Sequence, residues 1–194
     1  MILNALLAAS SLLLVAALTP GPNNLVVLRA AAAGAPATLW AAASGIVLGG
    51  LVMLALVTTF GSALGGLPLL RSLIAMAGAG YLAWLGLAML FRTAADRHDA
   101  PLPAGFAGLF AFQFLNPKSW VMVLSLVAAF PMQDTFATFV MLAPLFLLIP
   151  SMCLLLWAFA GRRLAGVLRA PAARRRFDRF MGLALIASAV LLLL

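Results

Sequence analysis

Apolar residues run along this chain in long blocks, broken only by short polar interruptions, and the blocks predict the elements. A membrane β-barrel would need many alternating segments of about 10 residues, and the unbroken runs do not alternate. At roughly 20 residues per crossing, they predict six transmembrane helices. Helix one covers residues 3 to about 33 and is interrupted at Thr19-Pro20-Gly21-Pro22. Helix two runs from residue 36 to about 60, and helix three from 67 to 91. A polar loop over residues 92–103 contains the mid-chain charges. Helix four starts near residue 104 and is interrupted at Asn116-Pro117. Helix five spans roughly 135–160, and helix six roughly 177–194.

Composition sharpens this picture. Hydrophobic residues make up 66% of the chain and charged residues only 8%, against about 25% charged in soluble domains. Too few polar side chains remain to cover a water-facing surface. The expected class is an all-α membrane protein, one transmembrane domain over residues 1–194 with lipid as its outer solvent. The first apolar stretch has no Lys or Arg ahead of it, so it is expected to be a retained helix and not a signal peptide. Cys153, the single cysteine, sits in an apolar run, and His98, the single histidine, sits in the charged loop. No disulfide, CxxC pair or His/Cys metal site is expected.

Charge sets the expected orientation. Arg162, Arg163, Arg169, Arg174, Arg175, Arg176 and Arg179 cluster after helix five, Arg92 and Arg97 follow helix three, and Arg29 lies near the end of helix one. The opposite side has only Arg71. The positive-inside rule places the Arg-rich loops in the cytoplasm and both termini outside. Anionic lipid headgroups account for the cluster, so no nucleic-acid partner is expected. Each half, about 1–91 and about 104–194, holds three spans of which the first is broken. An odd number of spans turns the halves over, so a 3+3 inverted repeat is predicted, with helices one and four discontinuous as in secondary transporters.

The breaks carry the candidate chemistry. At Thr19-Pro20-Gly21-Pro22-Asn23-Asn24, two prolines remove backbone donors. In hydrocarbon, each orphaned backbone group costs several kcal/mol, so the break must face protein, water or a ligand. Asn23 or Asn24 is placed to cap the second half-helix, whose N-terminus suits a carboxylate. At Gln113, Asn116, Pro117 and Lys118 the second break falls near mid-bilayer. Lys118 is too deep to snorkel easily, and a charge there costs at least ~2.5–3.5 kcal/mol. A polar cavity, a partner or an anionic group of a substrate is expected beside it. The plainer account is a hinge, with Lys118 reaching freed carbonyls; the two roles are compatible.

The four acidic residues, Asp96, Asp99, Asp134 and Asp178, all avoid the middle of a span. A cation or metal carrier is expected to place a carboxylate at mid-depth, so a zwitterion or anion fits better. For proton coupling the carboxylate candidate is Asp178, with pairing to the neighbouring arginines as the plainer account. Gly45 and Gly49 form a close-packing stripe, for contact within the chain or for a homodimer. Tyr81 and Trp84 read as packing or interface residues, or as substrate-facing ones. An enzyme would need a base or metal near Ser10, Ser11, Ser44, Ser125 or Ser151, and no embedded His or Asp accompanies them. A non-transport membrane scaffold is the remaining alternative. No cofactor is expected.

Three segments carry a family resemblance: Thr19-Pro20-Gly21-Pro22-Asn23, Ala79-Gly80-Tyr81-Leu82-Ala83-Trp84-Leu85-Gly86, and Leu115-Asn116-Pro117-Lys118. In this order, and in length and span number, the chain resembles the LysE/RhtB family of amino-acid exporters. The resemblance implies proton-driven export of amino acids from the bacterial cytoplasm, with Pro20, Gly21, Pro22, Asn116, Pro117 and Lys118 lining the pathway. Relatives with basic substrates carry an acidic residue early in helix two. Here that stretch is Trp40-Ala41-Ala42-Ala43-Ser44-Gly45, which favours a small neutral amino acid.

Overall fold

The computed structural model of the protein describes residues 2–65, 68–91, 103–130 and 134–193, and every element among them is an α-helix. In chain order these are α1 (Ile2–Leu18), α2 (Pro22–Ala32), α3 (Pro36–Gly65), α4 (Pro68–Leu90), α5 (Gly105–Leu115), α6 (Pro117–Ala128), α7 (Thr135–Leu168) and α8 (Pro171–Leu193). Most of them open on a proline, whose missing N–H is one that a first turn leaves unpaired anyway. Pro144 and Pro150, by contrast, lie inside α7 without ending it. The charged positions Arg92, Asp96, Arg97, His98 and Asp99 lie outside the described residues, as does the side chain of Arg71.

Among the described residues, α3 over Pro36–Phe60 and the whole of α7 are long and apolar enough to cross a membrane. The pair α1 and α2, bent by 57° at its break, makes a third if counted as one span. Met76–Leu90, α5 and α6 are shorter apolar helices.

The Arg-rich segment is not the loop that hydropathy predicts. Helix α7 runs on to Leu168 and α8 begins at Pro171, so only Arg169 and Ala170 separate them. Arg162 and Arg163 therefore lie on α7, and Arg174, Arg175, Arg176 and Arg179 on the first turns of α8. The physical reason is that leaving the bilayer does not end a helix: its backbone bonds remain internal, and arginine is among the better helix formers. At 34 residues, α7 is ~51 Å long, well beyond a hydrocarbon core of about 30 Å.

Two apolar clusters lie above and below the level of the breaks. Towards the Arg-rich end, α2, the first half of α3, α5 and the second half of α7 bury Val27, Ala42, Leu109, Phe112, Leu154 and Ala158 together. Towards the opposite end, α1, the second half of α3, α6 and the first half of α7 bury Leu13, Leu54, Val123, Leu126, Leu142 and Phe146. Helices α4 and α8 pack on each other at one side, with Leu25 of α2 joining them. Glycines set how closely these helices approach. A Cβ at Gly86 would lie 2.7 Å from the Gly182 carbonyl oxygen, and one at Gly182 the same distance from that of Gly86. On α3, Cβ atoms at Gly45 and Gly49 would lie 2.5 and 2.7 Å from the carbonyl oxygens of Phe106 and Phe110. The stripe at Gly45 and Gly49 is therefore filled by α5 of the same chain.

Candidate functional site

At the first break, Pro20 and Pro22 deprive the end of α1 of two helical donors. Neither asparagine caps α2 as expected. Gly21 is the N-cap residue and no side chain bonds there. With Gly21 as the N-cap and Pro22 in the first helical position, Asn23 and Asn24 fall two and three residues too late to cap. Asn24 instead turns back, its Nδ2 donating to the carbonyls of Ala17 at 3.0 Å and Thr19 at 2.8 Å. It closes the frayed end of α1 and leaves the first-turn N–H groups of α2 uncapped by side chains.

The second break is built differently. Asn116 caps α6, its side-chain oxygen accepting the Lys118 N–H at 3.1 Å, with Pro117 at the first helical position. The Phe114 carbonyl, which an unbroken helix would bond to that N–H, accepts the Trp120 indole N–H at 2.8 Å. Pro117 is seated on Gly78 of α4, where a Cβ would meet its ring at 2.4 Å.

The fold brings the two breaks together. Lys118 Nζ donates to the Thr19 carbonyl and, at 3.3 Å, to that of Pro20. Gly21 leaves room for this arm: a Cβ there would lie 3.1 Å from Nζ and 3.2 Å from Cδ. The Asn23 and Gln113 amides bond reciprocally, Asn23 Nδ2 to Oε1 at 2.9 Å and Gln113 Nε2 to Oδ1 at 3.2 Å. Ser119 Oγ donates to the same Gln113 oxygen at 2.9 Å. Ser119 is the polar residue that sequence reasoning missed. Its signal is its place one residue after Lys118, on the capped first turn of α6.

Between the breaks lies a cavity of about 50 Å³, enough for a few waters. Its polar wall is Asn23, Asn24, Gln113, Asn116, Lys118 and Ser119. The facing wall is apolar, with Ile46, Val47, Phe146 and Leu154. Tyr81 and Trp84 do not line it. The Tyr81 ring packs on Phe112 at 5.3 Å and on Trp84 at 5.7 Å, and Trp84 is half-exposed on the outer surface of α4.

Asp178 is buried, and Arg29 of α2, 149 residues away, pairs with it at 2.6 Å. The contact ties the two halves of the chain together at the Arg-rich end. Removing one member of a buried pair costs about 3 kcal/mol or more. Asp178→Asn is therefore expected to lower the apparent melting temperature of the purified protein by on the order of 10 °C. The exchange Arg29→Asp with Asp178→Arg should recover much of that loss. A double variant no more stable than either single one would remove the pair from the account.

The family described as LysE type translocator matches the chain over residues 14–194. The chain belongs to that family. Curated relatives include the cysteine/O-acetylserine efflux proteins of Salmonella typhimurium (strain LT2), Salmonella choleraesuis (strain SC-B67) and Salmonella typhi. Each is 31% identical to it over 147 residues, covering 74% of this chain and 75% of the relative. No solved structure matches it. Membership makes this chain a translocator and not an enzyme, and its apolar helices make it a multi-pass membrane protein. In such a translocator the meeting breaks put α2 N–H groups without side-chain caps, the Thr19 and Pro20 carbonyls and one ammonium around a shared space. This donor and acceptor set can take a small solute carrying both charges.

Proposed function

We propose that this translocator exports small neutral amino acids across the bacterial cytoplasmic membrane, coupled to protons. The observation that carries the reading is the Lys118 ammonium of one break held on the Thr19 and Pro20 carbonyls of the other. If Lys118 leaves those carbonyls, Thr19 keeps the Asn24 amide, but the ammonium and the Pro20 carbonyl need new partners, because an unpaired buried polar group costs about 1–3 kcal/mol. A zwitterion supplies both. Its carboxylate takes the ammonium and the uncapped first turn of α2, and its own ammonium takes the carbonyls. A simple anion or cation would satisfy only one. The apolar wall at Val47, Phe146 and Leu154 then faces the solute's side chain. The relatives' names, which pair cysteine with O-acetylserine, fit a small uncharged side chain.

In the same reading, residues 1–194 form one domain of six spans, with α1 and α2 as one broken crossing and α5 and α6 as another. The halves, about 1–91 and about 104–194, are inverted repeats that rock about the site. The Arg-rich ends of α7 and α8 face the cytoplasm, where anionic lipid surrounds them, and both termini lie outside. Asp178 is the carboxylate for proton coupling. The packing of α3 on α5 and of α2 on α7 across the halves supports this layout.

Inside-out vesicles containing the protein should take up labelled small neutral amino acids, and an imposed proton gradient should raise the accumulation. In Asp178→Asn vesicles the gradient should no longer raise it, while downhill exchange continues. Uptake equal to that of empty vesicles across a broad amino-acid panel would sink the proposal.

A further inference from the structure

A second and larger cavity meets the central one at Lys118. It is a cleft of about 540 Å³ between one face of α1 and one face of α6. Lys118, Val121, Met122 and Ser125 line the α6 side, and Ser11 and Val15 lie on the α1 side. Ala16, Lys118 and Met122 wall both spaces, so the lysine arm stands on the partition between them. Lys118 and Ser125 are seven residues apart on one helix face, so the cleft runs ~10 Å along α6 away from the breaks. It leads to the end of the molecule where α7 begins, opposite its Arg-rich end.

The contents of this cleft follow from the charge at its inner end. An ammonium facing hydrocarbon costs at least ~2.5–3.5 kcal/mol, whereas water along Ser11 and Ser125 solvates it. On the other side of the central cavity lies a gap of about 490 Å³ between α3 and α7, lined by Val27, Leu39, Val47, Leu154 and Ala158 of the apolar cluster there. There Gly45 and Gly49 bring α3 onto the backbone of α5. The two partitions differ in kind: apolar Val47 and Leu154 stand between the central cavity and the gap towards the Arg-rich end, whereas the charged, flexible Lys118 arm, with Ala16 and Met122, stands between it and the α1–α6 cleft.

We propose that the α1–α6 cleft is the water-filled release path for the exported zwitterion, and that the Lys118 arm is its inner gate. This rests on the central site between the breaks being where solute binds. When Lys118 lets go of the Thr19 and Pro20 carbonyls, it draws the carboxylate across the partition. Ser11 and Ser125 then offer hydroxyls along the way out.

The single cysteine, Cys153, is buried, so Cys153→Ala yields a cysteine-free background by one change. In it, Ser11→Cys and Ser125→Cys are treated with a charged, membrane-impermeant methanethiosulfonate in vesicles that expose the start of α7. Thr135→Cys serves as the water-exposed reference, and Leu183→Cys, on the exposed apolar surface of α8, as the lipid-facing one. Only a thiolate reacts, and thiolates form in water and not in hydrocarbon, so the cleft cysteines should react within about tenfold of Thr135→Cys and about 100-fold faster than Leu183→Cys. Reaction at Ser125→Cys should also stop efflux, and exported amino acid should slow it. Both cleft cysteines reacting as slowly as Leu183→Cys would overturn the proposal, since lipid or a second copy would then fill the cleft. Fast reaction that leaves efflux unchanged would overturn it too. Normal efflux by Lys118→Ala, whatever the labelling, would instead bring down the central site on which the proposal rests.

Discussion

Efflux by Lys118→Ala is expected to fall by about 100-fold, because a hydrogen bond to a charged group contributes about 1.5–3 kcal/mol and the proposed site uses this ammonium for the carboxylate. Insertion should be unaffected, since a buried alanine is easier to place in a membrane than a lysine. The variant loses the donor to the Thr19 and Pro20 carbonyls, so some loss of stability should accompany the loss of transport. Lys118→Met separates the two effects by keeping the length of the arm without its charge. It should transport as poorly as the alanine variant while keeping more of the packing beside Gly21. Lys118→Arg should restore little, because a planar guanidinium does not fit where a compact ammonium points at two neighbouring carbonyls. The measurement is efflux of labelled solute per molecule of membrane-inserted protein. Wild-type rates in Lys118→Ala would end the case for a carboxylate anchor at this position.

A large effect on helix packing is expected at Gly161. A Cβ there would lie 2.2 Å from the carbonyl oxygen of Leu28 and 3.0 Å from its carbonyl carbon, and both are backbone atoms that no rotamer can move. Gly161→Ala must push α7 away from α2, and overpacking of this kind costs about 1–3 kcal/mol. At Gly166, five residues on in the same helix, an added Cβ would have nothing within 4 Å. There the alanine should be neutral or stabilising, since glycine in a helix costs about 1 kcal/mol relative to alanine. Thermal unfolding in detergent should therefore separate the two: lower for Gly161→Ala, unchanged or higher for Gly166→Ala. Equal melting temperatures would show that the α2–α7 contact is not as tight as the backbone geometry requires. The same contrast is expected on α4, between Gly78, seated against Pro117, and Gly80, which faces open space.

Hydropathy alone locates the helices because lipid leaves the backbone no partner but itself. The prolines at Pro20, Pro22 and Pro117 locate the breaks because a missing N–H is a local fact. The ends of α7 and α8 are not legible in the same way, since hydropathy falls where a helix leaves the membrane although its hydrogen bonding does not. At the first break the N-cap is Gly21, two residues before the nearer of the expected asparagines. The competition among Pro22, Asn23 and Asn24 for the first turn is decided by backbone direction, and residue type does not reveal it.

From the chain alone came an all-helical membrane protein, helix ends at Pro20, Pro22 and Pro117, a lysine within an apolar stretch, and no acidic residue in the middle of an apolar run. These follow from side-chain chemistry and spacing within a few turns. Only the tertiary structure joined Lys118 to Thr19 and Pro20, Asn23 to Gln113, and Arg29 to Asp178. Each of these contacts spans about half the chain or more, and no local periodicity encodes which distant helix will lie alongside. The glycines that permit such approach are visible in the sequence; the backbones that fill them are known only once the helices have packed.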